Sequence, residues 1–445
     1  DGLDEVLDTG TRSYVSNQAR AMISEWSNRG VRFVVTSRFV GYRDAPLPGS
    51  LSHLSVLDFR QQEIEIFVHK WAHAYERWIA GGVATPESTR KARDLEADLL
   101  TDVRSNPSVQ RLAANPLMLT MLALVRRQVG RLPHRRILLY ERYVNTLIES
   151  WVEARSQGEH TRSLDGLDLH GAEAILIPLS LWLQHEKPSG TASRSEIQRE
   201  LTHIYLEEAG VKQPTRPQQR EAEEKSIRFL NEMRHMTGLI VERGHDAYGF
   251  LHLTFQEYFV GRALAQLDDH KRWQTIQVVR HQPRWREPLL LCMGWLGIRE
   301  NRRLQVTSLV EQILDTPDKT EVDLHRNLLL ALAIAADDVN LHPSIFVRLR
   351  NEFVCCFPTY IYQTARGLIG YAGLLATNNA IDLQEWLEPI TNCSNKRLRQ
   401  VMVESLAEHT EFGPVRQHIL NCLQDKNNSV RHAAIEAITP LLTDY

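Results

Sequence analysis

Gly238-Leu239-Ile240-Val241-Glu242 and Ala247-Tyr248-Gly249-Phe250-Leu251 flank the turn residues Gly244-His245-Asp246, and the second run leads directly into Thr254 to Leu267. Two short β-branched and aromatic runs around a Gly/Asp turn predict a β-hairpin. The residues that follow it carry helical spacing. Phe255 and Phe259 lie four apart, which is core packing and needs no chemistry. His252 stands at the strand-to-helix junction between Leu251 and Leu253. Position alone reads it as a hydrogen-bonded core histidine more readily than as a ligand contact.

Upstream of the hairpin, Ser226 to Met236 is helical and Gly210 to Gln219, with Pro214 and Pro217, is a loop. Ser195-Glu196-Ile197-Gln198 has the capping-box pattern, with Ser195 at the N-cap and Gln198 reaching back. Helices followed by a hairpin are the arrangement of a winged-helix domain, expected over 164–268. Its candidate DNA-facing helix, Glu221 to Met236, carries four Glu against three Lys or Arg. That balance argues against a phosphate-facing surface.

Farther upstream, 56–155 reads as a helical domain. Ile64, Phe67, Val68 and Trp71 share one face, and Pro116 to Val125 is apolar nearly all round, so that helix should be buried. A third helix covers Ile137 to Val152, and the polar stretch Arg155 to His160 reads as a linker. Downstream, 270–445 is a series of helices punctuated by Pro317, Pro343 and Pro358, with Val306, Leu309, Val310 and Ile313 on one face. Asn395 to Leu406 aligns with Asn427 to Ile438 at an offset of 32 residues: polar turn, apolar residue, Arg, helix. That is the grammar of HEAT-like repeats, whose units bury their apolar faces only by stacking. Two ordinary helices of a bundle are the alternative.

At the N-terminal end, Val15, Ala19, Met22 and Trp26 predict an amphipathic helix, Gly30 its left-handed stop, and Arg32 to Val35 a buried strand ending in Thr36-Ser37-Arg38. Acidic turn, helix, strand and polar turn make half of a βαβ unit, so the chain is expected to begin inside a domain. In Asp1-Gly2-Leu3-Asp4-Glu5, Asp1 fits a carboxylate holding Mg²⁺ off a strand tip, and Asp4 or Glu5 fits a second acid orienting an attacking water. Arg38 fits a group that senses the terminal phosphate or stabilises the charge developing on it. Read alone, the acids fit a solvated loop better, and Arg38 fits a surface turn equally well.

Composition sets outer bounds. At 445 residues the chain has room for about three domains. Lys+Arg is 52 against Asp+Glu 55, a net charge of −3 that offers no polybasic footprint for nucleic acid. The longest strictly apolar run, Leu328 to Ala336, falls well short of the ~20 residues of a membrane span. Five cysteines, an odd number, make no disulfide framework, and a reducing cytoplasm is the default. Two motifs are set aside. His69 and His73 are spaced i, i+4, but Lys70 stands where a zincin has Glu and no third ligand is indicated, so zinc is not assigned. Cys355-Cys356, beside Phe353 and Val354, reads as a buried thiol pair.

Taken in order, these motifs resemble the NACHT branch of the STAND NTPases, the nucleotide-driven signalling switches that include the NOD-like receptors. Asp1 to Glu5 resembles Walker B and Val34 to Arg38 the sensor strand. Asn115-Pro116-Leu117 is similar to the family's helical-domain motif, whose proline packs on the nucleotide base. Leu132-Pro133, Arg136 and Leu139-Tyr140 match the motif that follows. Phe250 to Phe259 resembles the winged-helix signature, whose histidine, here His252, reaches the β-phosphate of ADP. Trp285 to Leu291 resembles a segment joining NACHT modules to helical repeats in bacterial members.

The resemblance implies a mostly α chain: the C-terminal part of a P-loop α/β NTPase core (1–55), a helical lid (56–155), a winged helix (164–268) and HEAT-like repeats (270–445). It implies ATP/ADP or GTP/GDP with Mg²⁺ as cofactors, and closure around ADP with Pro116 and His252 on the lid side. Opening and homo-oligomerisation would follow when the repeats sense a protein or other trigger, with an upstream effector as output and antiphage defence as one use. No Gly-x-x-x-x-Gly-Lys-Ser/Thr occurs in the sequence, so Walker A is expected upstream of Asp1 and no hydrolysis is expected of these residues alone. A nucleotide-independent helical scaffold is the rival function, and DNA binding a third.

Overall fold

The fold comes from a computed structural model. It describes residues 9–27, 29–36, 47, 54, 56–105, 107–133, 135–156, 169–233, 239–244, 246–357, 361–410 and 412–442. These residues are mostly helical and fall into two units, Asp1–Asp58 with Val144–Val260, and Phe59–Tyr143 with Gly261–Tyr445.

The first unit opens with α1 (Thr9–Ser27). Gly30 follows at φ +80°, its amide donating to the Ser27 carbonyl at 3.1 Å, which is the left-handed stop expected from sequence. The buried strand expected at Arg32 to Val35 is not found: residues 31–36 form no regular element and belong to no sheet, and Val34 is 88% exposed. A β-branched run becomes a strand only beside a pairing neighbour and under a covering layer, and among the described residues these four have neither.

The second unit begins with α2 (Gln61–Ile79) and α3 (Pro86–Ser105), joined through Gly81 and Gly82 at φ +79° and +89°. The two helices close over Ala72, Ala92 and Leu95. Next come α4 (Pro107–Ala113), α5 (Pro116–Val129) and α6 (Arg136–Ser156). The expectation of a buried α5 is met along one broad face: Met118, Leu119, Met121, Leu122, Ala123 and Val125 are buried. Of the expected linker, Arg155 and Ser156 close α6, and 157–160 lie outside the described residues.

The first unit then continues with α7 (Leu169–Glu186), β1 (Thr191–Ser193), α8 (Arg194–Glu208), α9 (Arg216–Glu232), β2 (Ile240–Gly244) and β3 (Ala247–Phe250). The sheet is antiparallel in the order β1-β3-β2, pairing Ala192 with Tyr248 and Ile240 with Phe250. Helix, strand, two helices and a hairpin form a winged helix. Gly249 is required where β3 meets β1, because an added Cβ would stand 2.5 Å from the Gly190 carbonyl oxygen.

Two boundaries differ from expectation. The α8 cap is Ser193, not Ser195: Glu196 accepts the Ser193 amide at 2.9 Å, and its charge also takes Lys187 Nζ at 2.6 Å, a stronger pairing than neutral Gln198 offers. The 210–219 loop stops at Thr215, since Pro217 belongs to the first turn of α9, where a missing N–H costs nothing.

Helix α10 (Leu253–Gln266) closes the winged helix, with Phe255, Tyr258 and Phe259 fully buried. The unit boundaries fall inside α6 and α10. The second unit resumes with α11 (Asp269–Val279), α12 (Arg286–Gly294), α13 (Arg303–Asp315), α14 (Glu321–Leu324), α15 (Arg326–Ala336), α16 (Ser344–Cys355) and α17 (Tyr362–Thr377). It ends with α18 (Leu383–Thr391), α19 (Lys396–Leu406), α20 (Gly413–Cys422) and α21 (Asn428–Leu442). From α13 on, α13, α15, α17, α19 and α21 pack in succession, each on the next, and α16, α18 and α20 do the same.

The aligned turns repeat in detail. Arg399 is buried and donates to the Cys393 carbonyl six residues back at 2.6 Å, and Arg431 donates to the Asp425 carbonyl, also six back, at 2.7 Å. Asn395 and Asn427 each accept from the amide two residues on. Pro358 lies outside the described residues. The expected buried thiol pair is corrected: Cys356 is buried, its thiol pushed up to about 12 by desolvation, while Cys355 is exposed. Adjacent helical residues diverge by about 100°, so one faces out.

Candidate functional site

Of the six residues assigned to a nucleotide site from sequence, Asp1, Asp4, Glu5 and Arg38 lie outside the described residues. Pro116 and His252 are described, the first in the second unit and the second in the first.

His252 precedes α10 and is half-buried. Its Nδ1 lies 3.3 Å from the Thr254 amide and 2.9 Å from Thr254 Oγ1. A backbone amide only donates, so Nδ1 accepts and the ring proton sits on Nε2. His252 is thereby a side-chain cap for α10 with a fixed tautomer and a donor on its far nitrogen. The same construction recurs at His342, whose Nδ1 lies 3.3 Å from the Ser344 amide ahead of α16. His-x-Ser/Thr is therefore a local capping device in this chain.

Pro116 is the first residue of α5 and its side chain is exposed. Asn115 caps the helix, its Oδ1 accepting from the Leu117 and Met118 amides at 3.0 and 3.2 Å. An Asn-Pro pair satisfies two needs of a helix start at once, a capping acceptor and a residue with no N–H to satisfy. Gly130, in the left-handed conformation, ends the same helix.

Arg136 turns from a motif residue into the centre of a charge network within the second unit. It donates to Glu287 Oε2 at 2.8 Å and to Asp337 Oδ2 at 3.0 Å. Burial would lower its pKa, but the carboxylates of Asp337 and Glu287 outweigh that and raise it. The motif at Leu132 to Tyr140 and the segment at Trp285 to Leu291 are thus joined by an ion pair. Asp337 carries no signal in sequence, since it is a carboxylate at a helix end like many others.

Helix α9 holds Glu221, Glu223, Glu224 and Glu232 against Arg216, Arg220, Lys225 and Arg228. Arg220 pairs with Glu224 and Lys225 with Glu221. The zinc dismissal at His69 and His73 needs correction on one point, for a third group is present: Glu96 on α3 places Oε2 2.9 Å from His69 Nδ1. No helix among the described residues is long and apolar enough to cross a membrane.

Residues 136–264, from the start of α6 through most of α10, match the family model described as a winged helix-turn-helix domain C-terminal to NACHT. The match supports a NACHT-type protein. It covers every strand of the sheet together with His252. No curated protein gives a significant match to the chain.

Proposed function

We propose that this chain is part of a nucleotide-gated signalling switch of the NACHT type, working in the cytoplasm. The observation that carries the reading is the winged helix itself, matched over 136–264 to a domain that takes its description from its place after NACHT. The nucleotide (ATP/ADP or GTP/GDP) with Mg²⁺ would supply the charge that holds the resting state closed. His252 would donate from Nε2 to a β-phosphate oxygen, a role its capped tautomer fits. The exposed ring of Pro116 would cover the base. Asp1 would hold Mg²⁺ through water, Asp4 or Glu5 would orient the attacking water, and Arg38 would sense the terminal phosphate.

The stacked helices after α13 and their repeated arginine turns fit HEAT-like units, a surface on which a protein or other trigger would act. Differential contacts with the two nucleotide states would shift the population from closed to open and license homo-oligomerisation. Antiphage defence is one setting in which such a switch works. The test is nucleotide content and ADP affinity of protein made from its complete open reading frame. ADP should co-purify, and His252→Ala should weaken ADP about tenfold or more, the worth of a hydrogen bond to a charged group. Protein that purifies without nucleotide and binds none, with or without His252, overturns the proposal in favour of a nucleotide-independent scaffold.

A further inference from the structure

We propose that His69, His73 and Glu96 form a binding site for a borderline divalent cation, with Zn²⁺ as the reference ion. His69 and His73 stand one turn apart on α2, their ring centroids 4.6 Å apart. Glu96 reaches them from α3, and its Oε2 lies 2.9 Å from His69 Nδ1 and 3.7 Å from His73 Nε2. One carboxylate oxygen therefore lies near a nitrogen of each ring. The three donor atoms all fall within 4.8 Å of one another. Ligands of a tetrahedral zinc at about 2.0–2.1 Å sit roughly 3.3 Å apart, so the donors need only a small rotamer adjustment.

The site is built on rigid elements. Ala72, between the two histidines in sequence, is buried against Ala92 and Leu95 of α3, which fixes the spacing of the helices beneath the cluster. Above it is a cavity of about 430 Å³, lined by His69, His73, Arg93, Glu96, Ala97 and Leu100. Side-chain exposures of 58%, 33% and 25% for His69, His73 and Glu96 leave the donors within reach of an incoming ion. Two imidazoles with one carboxylate suit zinc, cobalt or nickel, and lack the all-oxygen shell that magnesium and calcium require. Three protein ligands leave at least one position for water. Arg93 at the rim opposes a cation and keeps the affinity modest.

The test uses the tag-free full chain, stripped with chelator, then titrated calorimetrically with ZnCl₂ and with MgCl₂, and followed by visible absorption with CoCl₂. One equivalent of Zn²⁺ should bind, Co²⁺ should give a ligand-field band, and Mg²⁺ should give no heat at this site. Loss of outer-sphere partners costs metal sites about 10- to 100-fold, so His73→Ala and Glu96→Gln should each cost at least about tenfold in zinc affinity. His69→Gln, at the most exposed of the three positions, provides a variant that leaves the packing untouched. Absence of stoichiometric Zn²⁺ binding by folded protein overturns the proposal, as does an affinity that all three substitutions leave unchanged. Either result would reduce the cluster to an ion pair between α2 and α3.

Discussion

Replacing Arg136 by Met tests whether the charge network at the start of α6 holds the second unit together. The Arg136 side chain is 16% exposed, as is that of Asp337, whereas Glu287 is 39% exposed. Met keeps most of the aliphatic volume and removes the charge. Asp337 is then left with its negative charge largely desolvated, and breaking a buried pair from one side costs about 3–5 kcal/mol. Partial exposure trims that to about 2–4 kcal/mol here, with most of it on the Asp337 arm, because pairs as exposed as Glu287 are worth about 0–1 kcal/mol. Unfolding of a chain with two units is not one transition, so a single midpoint would mislead. Native-state hydrogen exchange read by mass spectrometry resolves the effect locally. Peptides covering Ile137–Tyr143 and Arg326–Asp337 should exchange about 30-fold faster or more, the equivalent of 2 kcal/mol. Asp337→Asn should reproduce most of the change and Glu287→Gln little of it. Exchange in Arg136→Met within threefold of wild type in both peptides would show that the network contributes no stability and that the argument from burial is wrong.

Two further outcomes follow from the winged helix. Gly249→Ala forces a Cβ against the Gly190 carbonyl oxygen and should destabilise the sheet by about 1–3 kcal/mol, seen as faster exchange across Thr191–Ser193 and Ala247–Phe250; unchanged protection there would refute the close approach. Glu196 has its carboxyl pushed down to about 2, chiefly by the hydrogen bond from Lys187 and then by the Ser193 amide. A depressed carboxylate contributes stability above its unfolded value of 4.5 and loses it as pH falls toward 2. Glu196→Gln should therefore cost about 1–2 kcal/mol at neutral pH in the protection of α8, with the gap to wild type closing below pH 4.5. A gap that stays constant with pH would assign the loss to packing.

What the sequence discloses follows the range over which each signal acts. The hairpin and α10 are legible because Leu239 to Phe250 alternates turn residues with β-branched and aromatic runs, and because Phe255 and Phe259 mark one helix face. β1 is not legible: three residues, Thr191 to Ser193, carry no periodicity, and the strand exists because β3 offers it an edge. Arg32 to Val35 is the converse, a run with strand composition and no described neighbour to pair with. The cap of α8 is misread by two residues because Ser193 and Ser195 both precede a Glu or Gln at the right spacing, and only Lys187 decides between them. Partners such as Glu96 for His69, or Asp337 for Arg136, lie 27 and 201 residues away and look like any other surface acid.

In the last helices of the second unit Arg399 and Arg431 are each tied to the turn before their own helix, and the two turns stand 32 residues apart. Arg399 takes the Asp425 carboxylate at 2.7 and 3.0 Å and Arg431 takes the carbonyl of the same residue, so one aspartate ties two successive arginine-bearing helices to a single turn.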